Sequence, residues 1–539
     1  MSVAEGQIVR RESTVPTSVA APITGTPPAA DLLQLDEVRI DPMIALRIPA
    51  NLATRREVLP FIEWQGKIYV ACGDLRDPAT MATVQRAFDI PIQPVRADLP
   101  SLRRAIHRVY GAVKSENGNT AVLARPVTPG ASAAGGSSSR TNGSSRAPAV
   151  VETFDATATC DEILYSAVMR QASDVHLDPS AENLRVRFRV DGQLENITLL
   201  PASAASSLTN RIKVLSGMDI SEKRAPQDGG FRHEYGENRS VDIRAATLPT
   251  KWGERTTLRL LGLQTGSLTL QRLGMTPPQL LIFEKALSNP YGMILLTGPT
   301  GSGKSTTLYA AIRRLLELEA LNIITVEDPV EYDIPGVAQV AVDSADKTSF
   351  AGALRSILRH DPDVVMIGEI RDAETAGIAV KASLTGHLVF SSLHTNTAAG
   401  SVTRLSDMGV ERYLVASTLR LAIAQRLVRR LCPRCREVTT MSVTDSRVLN
   451  RLDAAGRTAY NHRGCLYCGG RGYAGRIALF EFLALDESWS TIIAEGAQEM
   501  ALITEMKRRS LPLLIDDALD KMESGLTTID EIRAAVASW

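Results

Sequence analysis

The pattern of apolar and polar positions predicts a small α/β domain near the amino end of the chain. Residues 67–72, Lys-Ile-Tyr-Val-Ala-Cys, form an apolar run of strand length. The segments 79–88 and 99–110 instead repeat apolar residues at helical spacing. We therefore expect a compact domain over residues 31–111, and nothing in it has the pattern of a catalytic site.

A second α/β domain is predicted over residues 151–265. A helix-like stretch, 160–171, precedes the segment 172–177, and two strands then meet at a turn, where 184–190 runs into Asp191-Gly192. The strand 184–190 alternates apolar residues with three arginines, which therefore share one face of the sheet. The face is either a solvated surface or a set of cations that reaches a neighbouring nucleotide site. The three arginines are Arg185, Arg187 and Arg189.

Residues 266–430 have the pattern of a largely parallel sheet that is covered by helices on both sides. Short apolar runs alternate there with helix-like segments. The runs lie at 293–297, 323–326, 364–367 and 388–390. Polar residues follow these runs, and open α/β sheets bind their ligands at the carboxyl ends of the strands. The polar residues therefore predict one site.

The centre of that site is the stretch 298–306, Gly-Pro-Thr-Gly-Ser-Gly-Lys-Ser-Thr, between an apolar run and a helix-like segment. It fits the phosphate-binding pattern GxxxxGK[ST] in the required context of strand, loop and helix. Glycines leave backbone N–H groups free to point at an anion, and the helix directs its positive end to the same place. We expect Lys304 to bind the β- and γ-phosphates of ATP and Ser305 to offer its hydroxyl to Mg²⁺. The expected contacts to the nucleotide are Gly298, Pro299, Thr300, Gly301, Ser302, Gly303, Lys304, Ser305 and Thr306.

Carboxylates that follow the other apolar runs could complete a site for phosphoryl transfer. Hydrolysis needs a metal ion held in place, a group that orients or deprotonates water, and positive charge for the transition state. Glu369 is the candidate to contact Mg²⁺ through water or to polarise the nucleophile. A second acidic set follows the run 323–326. The carboxylates of the site are Glu327, Asp328, Glu331, Glu369 and Asp372.

Two histidines flank the strand-like segment 388–393. His387 directly precedes this segment and His394 directly follows it. A role of His387 in sensing the γ-phosphate and a structural role fit the pattern equally well.

Four of the six cysteines fall in two Cys-x-x-Cys pairs, which predict a tetrahedral Zn²⁺ site. Four thiolates leave no open coordination position, so this zinc is expected to be structural. Redox pairing is the alternative. Cys72 and Cys160 stand alone, and we expect each to be a small buried apolar side chain. The predicted zinc ligands are Cys432, Cys435, Cys465 and Cys468.

Composition and charge narrow the function classes further. The chain has 60 basic and 60 acidic residues, so no excess of positive charge indicates nucleic-acid binding. No apolar run approaches the roughly 20 residues of a membrane span, and the amino end lacks the core of a signal peptide. We therefore expect a cytoplasmic protein without a transmembrane segment. Residues 1–30 are expected to form a disordered arm, and residues 112–150 a flexible linker that lets the first domain move independently.

Together these motifs closely resemble those of the ATPases of bacterial type II secretion and type IV pilus assembly. The resemblance implies an α/β, multi-domain fold in which a PAS-like domain over 151–265 precedes a RecA-like ATPase domain over 266–430. It also implies a tetracysteine zinc-binding subdomain over 431–480 and a helical carboxyl-terminal region over 481–539. The motifs that carry it are the Walker A stretch 298–306, an aspartate box at 325–332, an atypical Walker B stretch at 364–369, a histidine box at 385–396, and the segments 172–179, 226–229 and 472–476.

The resemblance assigns roles by position. Glu327 resembles the catalytic carboxylate of the aspartate box, and Glu369 the Walker B glutamate. His387 and His394 match the histidine box.

Arginines of the second domain also have counterparts in the family. Arg244, in the segment Asp-Ile-Arg, is similar to an arginine that reaches the nucleotide. Relatives usually read Gln-Asp-Gly-Arg where this chain has Gly230. We expect Arg232 to substitute for the missing arginine, because it lies two residues further along the same strand and on the same face.

The resemblance further implies partners. In that family a homohexameric ring closes on ATP and drives an inner-membrane platform protein, which adds pilin or pseudopilin subunits. Residues 31–111 resemble the domain that docks on a membrane partner, which would hold the protein at the inner face of the plasma membrane. Retraction ATPases generally lack this domain and the tetracysteine, which favours assembly or secretion. Some relatives bind cyclic di-GMP through an Arg-Leu-Gly-containing repeat; none precedes residue 110, so that ligand is not predicted.

Two other classes of function are alternatives. One is a ring-shaped translocase for DNA uptake or transfer, against which the balanced charge and the lack of a basic, aromatic-rich groove count. The other is a scaffold that binds ATP without hydrolysing it, against which the full set of carboxylates counts.

Overall fold

The structure is a computed structural model of the 539-residue chain. The predicted arm over 1–30 and the predicted linker over 112–150 lie outside the described residues. The structure describes residues 32–36, 38–75, 77–110, 155–236, 239–262, 269–318, 320–342 and 349–536.

The amino-terminal domain is a three-stranded sheet covered by short helices. Strands β1 and β2 are antiparallel, while β3 lies parallel to β2. Asp77 begins one helix by accepting a hydrogen bond from the backbone N–H of Thr80 at 3.0 Å, as expected of a helix cap. The strand and both helices predicted here are present. The elements are α1 (Pro42–Ala45), α2 (Ala50–Arg56), β1 (Val58–Trp64), β2 (Lys67–Cys72), α3 (Pro78–Gln85), β3 (Ile92–Arg96) and α4 (Leu99–Tyr110).

The second domain is a six-stranded antiparallel sheet, in the order β6-β5-β4-β9-β8-β7, that packs against two helices. Two of the three β5 arginines pair with carboxylates of the adjacent strand. Arg187 donates to Asp178 at 2.7 Å, and Arg189 lies 3.7 Å from Asp174. These pairs favour the sheet-surface interpretation. The elements are α5 (Ala156–Met169), β4 (Ala172–Pro179), β5 (Asn183–Val190), β6 (Gln193–Pro201), α6 (Ala204–Ser216), β7 (Gln227–Gly236), β8 (Arg239–Thr250) and β9 (Gly253–Leu261).

The third part is built on a seven-stranded sheet in the order β12-β11-β13-β14-β10-β15-β18. Every neighbouring pair is parallel except β15 and β18. Its strands are β10 (Gly292–Thr297), β11 (Ile323–Glu327), β12 (Ala338–Ala341), β13 (Val364–Ile367), β14 (Leu388–Leu393), β15 (Leu419–Leu431) and β18 (Tyr473–Ala484). Its helices are a 3-10 turn (Leu270–Leu273), α7 (Pro277–Leu287), α8 (Lys304–Leu318), α9 (Phe350–Ile357), α10 (Ala373–Leu384), α11 (Ala398–Asp407) and α12 (Arg412–Thr418).

The candidate zinc ligands lie in an excursion between β15 and β18. Because β18 joins the seven-stranded sheet, this sheet extends beyond the boundary predicted at residue 430. The predicted carboxyl-terminal helices are present, and their apolar residues, such as Trp489 and Leu514, pack into the clusters around the sheet. The elements are β16 (Arg436–Thr440), α13 (Val443–Val448), a 3-10 turn (Leu452–Ala454), β17 (Thr458–His462), α14 (Glu487–Ala494), α15 (Glu499–Arg508), α16 (Leu514–Glu523) and α17 (Ile529–Val536).

The amino-terminal domain packs against the rest of the chain. The hydroxyl of Tyr165, in α5, donates to the backbone oxygen of Arg108 at 2.7 Å. Within the part of the chain that the structure describes, no helix combines the length and apolarity that crossing a membrane requires.

Candidate functional site

The loop between β10 and α8 has the backbone shape of a phosphate cradle. Strand β10 is buried along its whole length, and the loop leaves its carboxyl end. Gly298 and Gly303 have φ of +148° and +86°, and a Cβ at these positions would lie 2.4 Å from the oxygen of Gln425 and 2.9 Å from its side-chain nitrogen. The loop approaches β15 so closely that only glycine fits at both positions.

Lys304 is held over this loop by backbone oxygens. Its Nζ donates to Gly298 at 2.7 Å and to Pro299 at 3.2 Å. Burial lowers the pKa of Lys304 to about 8; the nearby charge of Glu369 opposes this shift and that of Arg426 adds to it. An anion in the loop would offer the ammonium group a stronger partner than two neutral carbonyls.

Ser302 and Ser305 also fit a nucleotide in the loop. The hydroxyl of Ser302 is buried and has no hydrogen-bond partner among the described residues. Ser305 is exposed in the first turn of α8, where a hydroxyl can reach a metal ion beside the phosphates. The donor set therefore fits a nucleotide with Mg²⁺.

Gln425 and Arg426 on β15 lie beside the loop, and no sequence motif points to them. The Gln425 side chain donates to the backbone oxygen of Ser302 at 2.8 Å and accepts from Thr307 at 2.8 Å. Arg426 is 4% exposed, donates to the side chain of Asn396 at 2.8 Å, and its Nε has no partner among the described residues. Their position as two adjacent polar residues inside an apolar strand is the sequence feature that could have pointed to them.

Glu369 lies just past the carboxyl end of β13, where an arginine and a histidine contact its carboxylate. Its carboxylate lies 2.9 Å from Nε2 of His394 and pairs with Arg371, which in turn lies 3.3 Å from Asp328. Burial raises the pKa of Glu369, but hydrogen bonds from Arg371 and His394 outweigh it, so the pKa falls below its usual value. Glu369 is therefore ionised near neutral pH and is held in one position.

Glu327, the predicted catalytic carboxylate, is buried in this conformation. It is 3% exposed, and it accepts hydrogen bonds from three side chains. Its donors are Tyr309, Thr325 at 2.6 Å and Gln339 at 3.2 Å. In this conformation Glu327 joins β11 to α8, because Tyr309 lies on the helix that begins with Lys304. Tyr309 gave no signal in the sequence, since it looks like any other apolar position of that helix.

Arg244 and Arg232 lie on neighbouring strands of the second domain. Arg244 donates to the backbone oxygen of Val330 in the aspartate box at 3.4 Å, and its charge lowers the pKa of Glu331, which burial raises above the usual value. Arg232 forms an exposed pair with Asp242 at 2.8 Å. Gly230 pairs with Arg244 across the two strands. Thus Arg244 contacts the domain of the seven-stranded sheet directly, whereas Arg232 pairs with a carboxylate of its own sheet.

Of the two roles left open for His387, this arrangement favours the structural one over sensing of the γ-phosphate. His387 precedes β14, and its Nδ1 lies 3.0 Å from the backbone oxygen of Ala382. Strand β14 is parallel to β10, so its amino end lies at the opposite edge of the sheet from the loop. Six residues of strand separate the two edges by about 20 Å. His394, at the carboxyl end of β14, is the histidine that joins the site.

The four paired cysteines come together as a cluster whose ligand atoms all lie within 4.8 Å of one another. Three of the Sγ–Sγ separations are 3.8 Å. A tetrahedral ion about 2.3 Å from each sulfur would set neighbouring sulfurs about 3.8 Å apart, whereas a disulfide requires about 2.05 Å. The cluster therefore fits a structural zinc ion better than redox pairing. Elsewhere, burial raises the pKa of Cys72 to about 11 and of Cys160 to about 12, which fits inert buried thiols.

Comparison with known families agrees with this geometry. The family model described as type II/IV secretion system protein matches residues 154–534, and the MshEN domain model matches residues 28–116. The chain belongs to the type II/IV secretion system protein family. The family and the enzyme class predicted from the motifs, an ATPase, are confirmed.

Named relatives cover most of the chain. The type II secretion system ATPase E of Vibrio cholerae is 45% identical over 370 residues, which are 69% of this chain and 73% of that protein. The type IV pilus assembly ATPase PilB of Myxococcus xanthus is 37% identical over 517 residues, which are 94% of this chain and 88% of that protein.

Solved structures share the fold. The Legionella pneumophila ATPase DotB is 22% identical, with a TM-score of 0.54 and coverage of 73% of this chain and 98% of that one. The pilus retraction motor PilT with bound ADP is 26% identical, with a TM-score of 0.50 and coverage of 70% and 96%. The prediction of a P-loop ATPase fold is confirmed.

Proposed function

We propose that this ATPase works as a homohexameric motor for type II secretion or type IV pilus assembly, coupled to an inner-membrane platform protein. The observation that carries the proposal is the convergence of Lys304, Glu369 and His394 at one edge of the sheet, in a chain of the secretion family. The name of the Vibrio relative supports type II secretion, and the name of the Myxococcus relative supports type IV pilus assembly. The platform adds pilin or pseudopilin subunits, so these are indirect partners, and no nucleic acid takes part. The protein works in the cytoplasm at the inner face of the plasma membrane.

The loop 298–306 binds ATP. Its backbone N–H groups and Lys304 hold the β- and γ-phosphates, and the ammonium group exchanges its two carbonyl partners for phosphate oxygens. Ser305 and Glu369 would hold Mg²⁺, which supplies charge neutralisation and alignment for the phosphates.

Glu369 orients the attacking water. It is the carboxylate whose charge acts on Lys304, and its pairs with His394 and Arg371 fix its position. Because those pairs keep Glu369 ionised, it can accept a hydrogen bond from water near neutral pH. Glu327 fixes α8 to β11 through Tyr309 in this conformation, and it reaches the water only after this contact opens.

The second domain contributes Arg244 when it closes on the ATPase domain. Its guanidinium already contacts the aspartate box at Val330. A cation brought in from a neighbouring domain stabilises the charge of the transition state for phosphoryl transfer. Arg232 makes the same contribution if its pair with Asp242 opens.

Zn²⁺ bound by the four cysteines has a structural role. Four sulfur ligands close the coordination sphere, so the ion supplies folding energy and no open position for substrate.

The proposal is tested by light scattering and phosphate release on the purified protein, with and without the cytoplasmic domain of the platform protein. The expected result is a hexamer whose ATP turnover rises at least several-fold when the platform domain is added. Matched assays use the platform domains of a secretion system and of a pilus, and the one that stimulates identifies the machine. Stimulation by single-stranded or duplex DNA, with no response to either platform domain, would contradict the proposal and support the translocase.

A further inference from the structure

The amino-terminal domain packs against the second domain at α5. The hydroxyl of Tyr165 donates to the oxygen of Arg108, at the end of α4, and burial raises its pKa to about 12, so it stays a neutral donor. Arg170, which follows α5, pairs with Asp41, and Arg39 donates to the backbone oxygen of Arg170 at 2.6 Å. This contact surface is mainly polar.

The same domain also packs against residues 464–472, the segment around the second cysteine pair. We call this segment the zinc loop. Leu466 is 7% exposed and belongs to the apolar core of the amino-terminal domain. A Cβ added at Gly469 would lie 3.0 Å from Ile62, and one at Gly470 would lie 2.8 Å from the ring of Trp64. The backbone of the zinc loop therefore lies directly against β1. This second contact surface is largely apolar, with a backbone hydrogen bond from the N–H of Arg39 to the oxygen of Tyr467 at 3.4 Å.

A chain of ion pairs joins the two contact surfaces. Arg471 in the zinc loop pairs with Glu195 of the second domain at 2.8 Å, and Glu195 lies 3.8 Å from Arg170. Arg170 reaches Asp41 of the amino-terminal domain. Partly buried ion pairs of this kind fix a geometry more than they add net stability. They specify how the amino-terminal domain, the second domain and the zinc loop fit together.

The shape of the zinc loop depends on its sulfur atoms. The loop contains no helix or strand, and four of its glycines have φ between +66° and +84°. Backbone hydrogen bonds within the loop, such as that from the N–H of Gly470 to the oxygen of Cys465 at 2.9 Å, only close short turns. The sulfur of Cys468 adds to them by accepting hydrogen bonds from the N–H of Gly472 at 3.1 Å and of Cys465 at 3.3 Å. Glycine-rich backbone loses much conformational entropy on ordering. The position of Leu466, between two of the four cysteines, is therefore set by whatever holds the sulfurs.

We propose that the zinc loop is the docking surface for the amino-terminal domain, and that Zn²⁺ bound to the four cysteines keeps this domain attached to the ATPase. Without the ion the loop loses its shape, Leu466 leaves the core of the amino-terminal domain, and only the polar contacts at α5 are left. The domain then separates, apart from its covalent link. This inference does not depend on the proposed motor function.

The test uses the full chain with a specific protease site inserted within 112–150. After cleavage, the zinc-loaded protein is diluted and run on size exclusion, with the amino-terminal fragment labelled. The expected result is that the fragment elutes with the remainder of the chain. Removing zinc with a chelator, followed by metal analysis, is expected to release the fragment, and adding zinc back is expected to restore co-elution.

A side-chain variant tests the surface separately from the metal. Leu466→Ala removes a buried apolar side chain without touching a ligand, and it is expected to raise the dissociation constant of the cleaved complex on the order of 30-fold. Val438→Ala is the matched control, because Val438 lies in β16 of the same excursion and is 72% exposed. It should leave the dissociation constant unchanged. Zinc content is measured for both variants, and a Leu466→Ala chain that has lost zinc is compared at matched occupancy after reloading.

Two outcomes would overturn the proposal. The first is a fragment that still co-elutes when metal analysis shows the zinc to be gone. The second is a zinc-loaded, cleaved wild-type protein that separates as readily as the chelated one. Equal dissociation constants for Leu466→Ala and Val438→Ala would overturn the assignment of the surface.

Discussion

Nucleotide affinity is expected to fall as the pH rises from 7.5 to 9.5, because Lys304 loses its charge in the empty site. Burial lowers the pKa of Lys304 to about 8. Bound phosphate places negative charge beside the ammonium group and raises the pKa again. Binding above pH 8 must therefore take up a proton. By linkage, the affinity has its full value below the pKa of Lys304 in the empty site and declines as the pH rises through that pKa.

The size of the effect follows from the same pKa. With a pKa of about 8, the protonated fraction of Lys304 falls from about three quarters at pH 7.5 to about 3% at pH 9.5. The affinity should accordingly fall about 25-fold across this range. Ionisation of the nucleotide does not contribute, because the second pKa of a phosphate ester is about 6. Calorimetric titration with ADP in two buffers of different ionisation enthalpy measures the affinity and counts the protons taken up.

Lys304→Arg is the matched control, since a guanidinium group stays charged throughout this pH range. Its affinity should be independent of pH between 7.5 and 9.5. Arg426→Gln removes a neighbouring positive charge, so it should move the decline to higher pH. A flat profile for the wild-type chain, or an equal decline in Lys304→Arg, would show that the charge of Lys304 does not control the affinity.

Three further substitutions test individual contacts. Tyr309→Phe removes the hydroxyl that donates to buried Glu327. It should cost about 2 kcal/mol of stability and lower the Tm of the ATPase domain by about 4–8 °C in calorimetry; an unchanged Tm would mean that Thr325 and Gln339 hold Glu327 without it. Arg244→Ala should reduce ATP turnover on the order of 100-fold, and unchanged turnover in Arg232→Ala beside that loss would rule out Arg232 as the substitute arginine. His394→Ala should reduce turnover at least about 10-fold and His387→Ala less than about 2-fold; the reverse order would restore the phosphate-sensing role of His387.

Local patterns in the sequence predicted the parts of the fold that depend on local physics. The strand Lys67–Cys72 and the helix Leu99–Tyr110 match their predicted bounds, because one is a continuous apolar run and the other has a strong helical period. The loop 298–306 was also recognisable, since its glycines are required by the backbone itself. The membership of β18 in the ATPase sheet was missed, because a strand pairing across the whole zinc-bearing excursion leaves no mark in local periodicity.

The candidate site was predicted less completely than the fold. The carboxyl-end rule found Glu369 and His394, but His387 precedes its strand, and the same rule would have excluded it. Glu327 was recognised as part of the site, while its burial beneath Tyr309 depends on how α8 packs on β11. Gln425 and Arg426 contact the loop only because β15 lies beside β10, which requires the order of strands in the sheet.

In the proposed mechanism, Glu369 makes this chain a hydrolysing ATPase rather than a nucleotide-binding scaffold. The most direct test measures phosphate release by the wild-type chain and by Glu369→Gln, with nucleotide affinity measured in parallel and Lys304→Ala as the variant that should lose binding. We expect Glu369→Gln to bind ATP as the wild type does and to turn it over at least about 100-fold more slowly. Equal turnover in Glu369→Gln and the wild type would show that hydrolysis does not depend on Glu369.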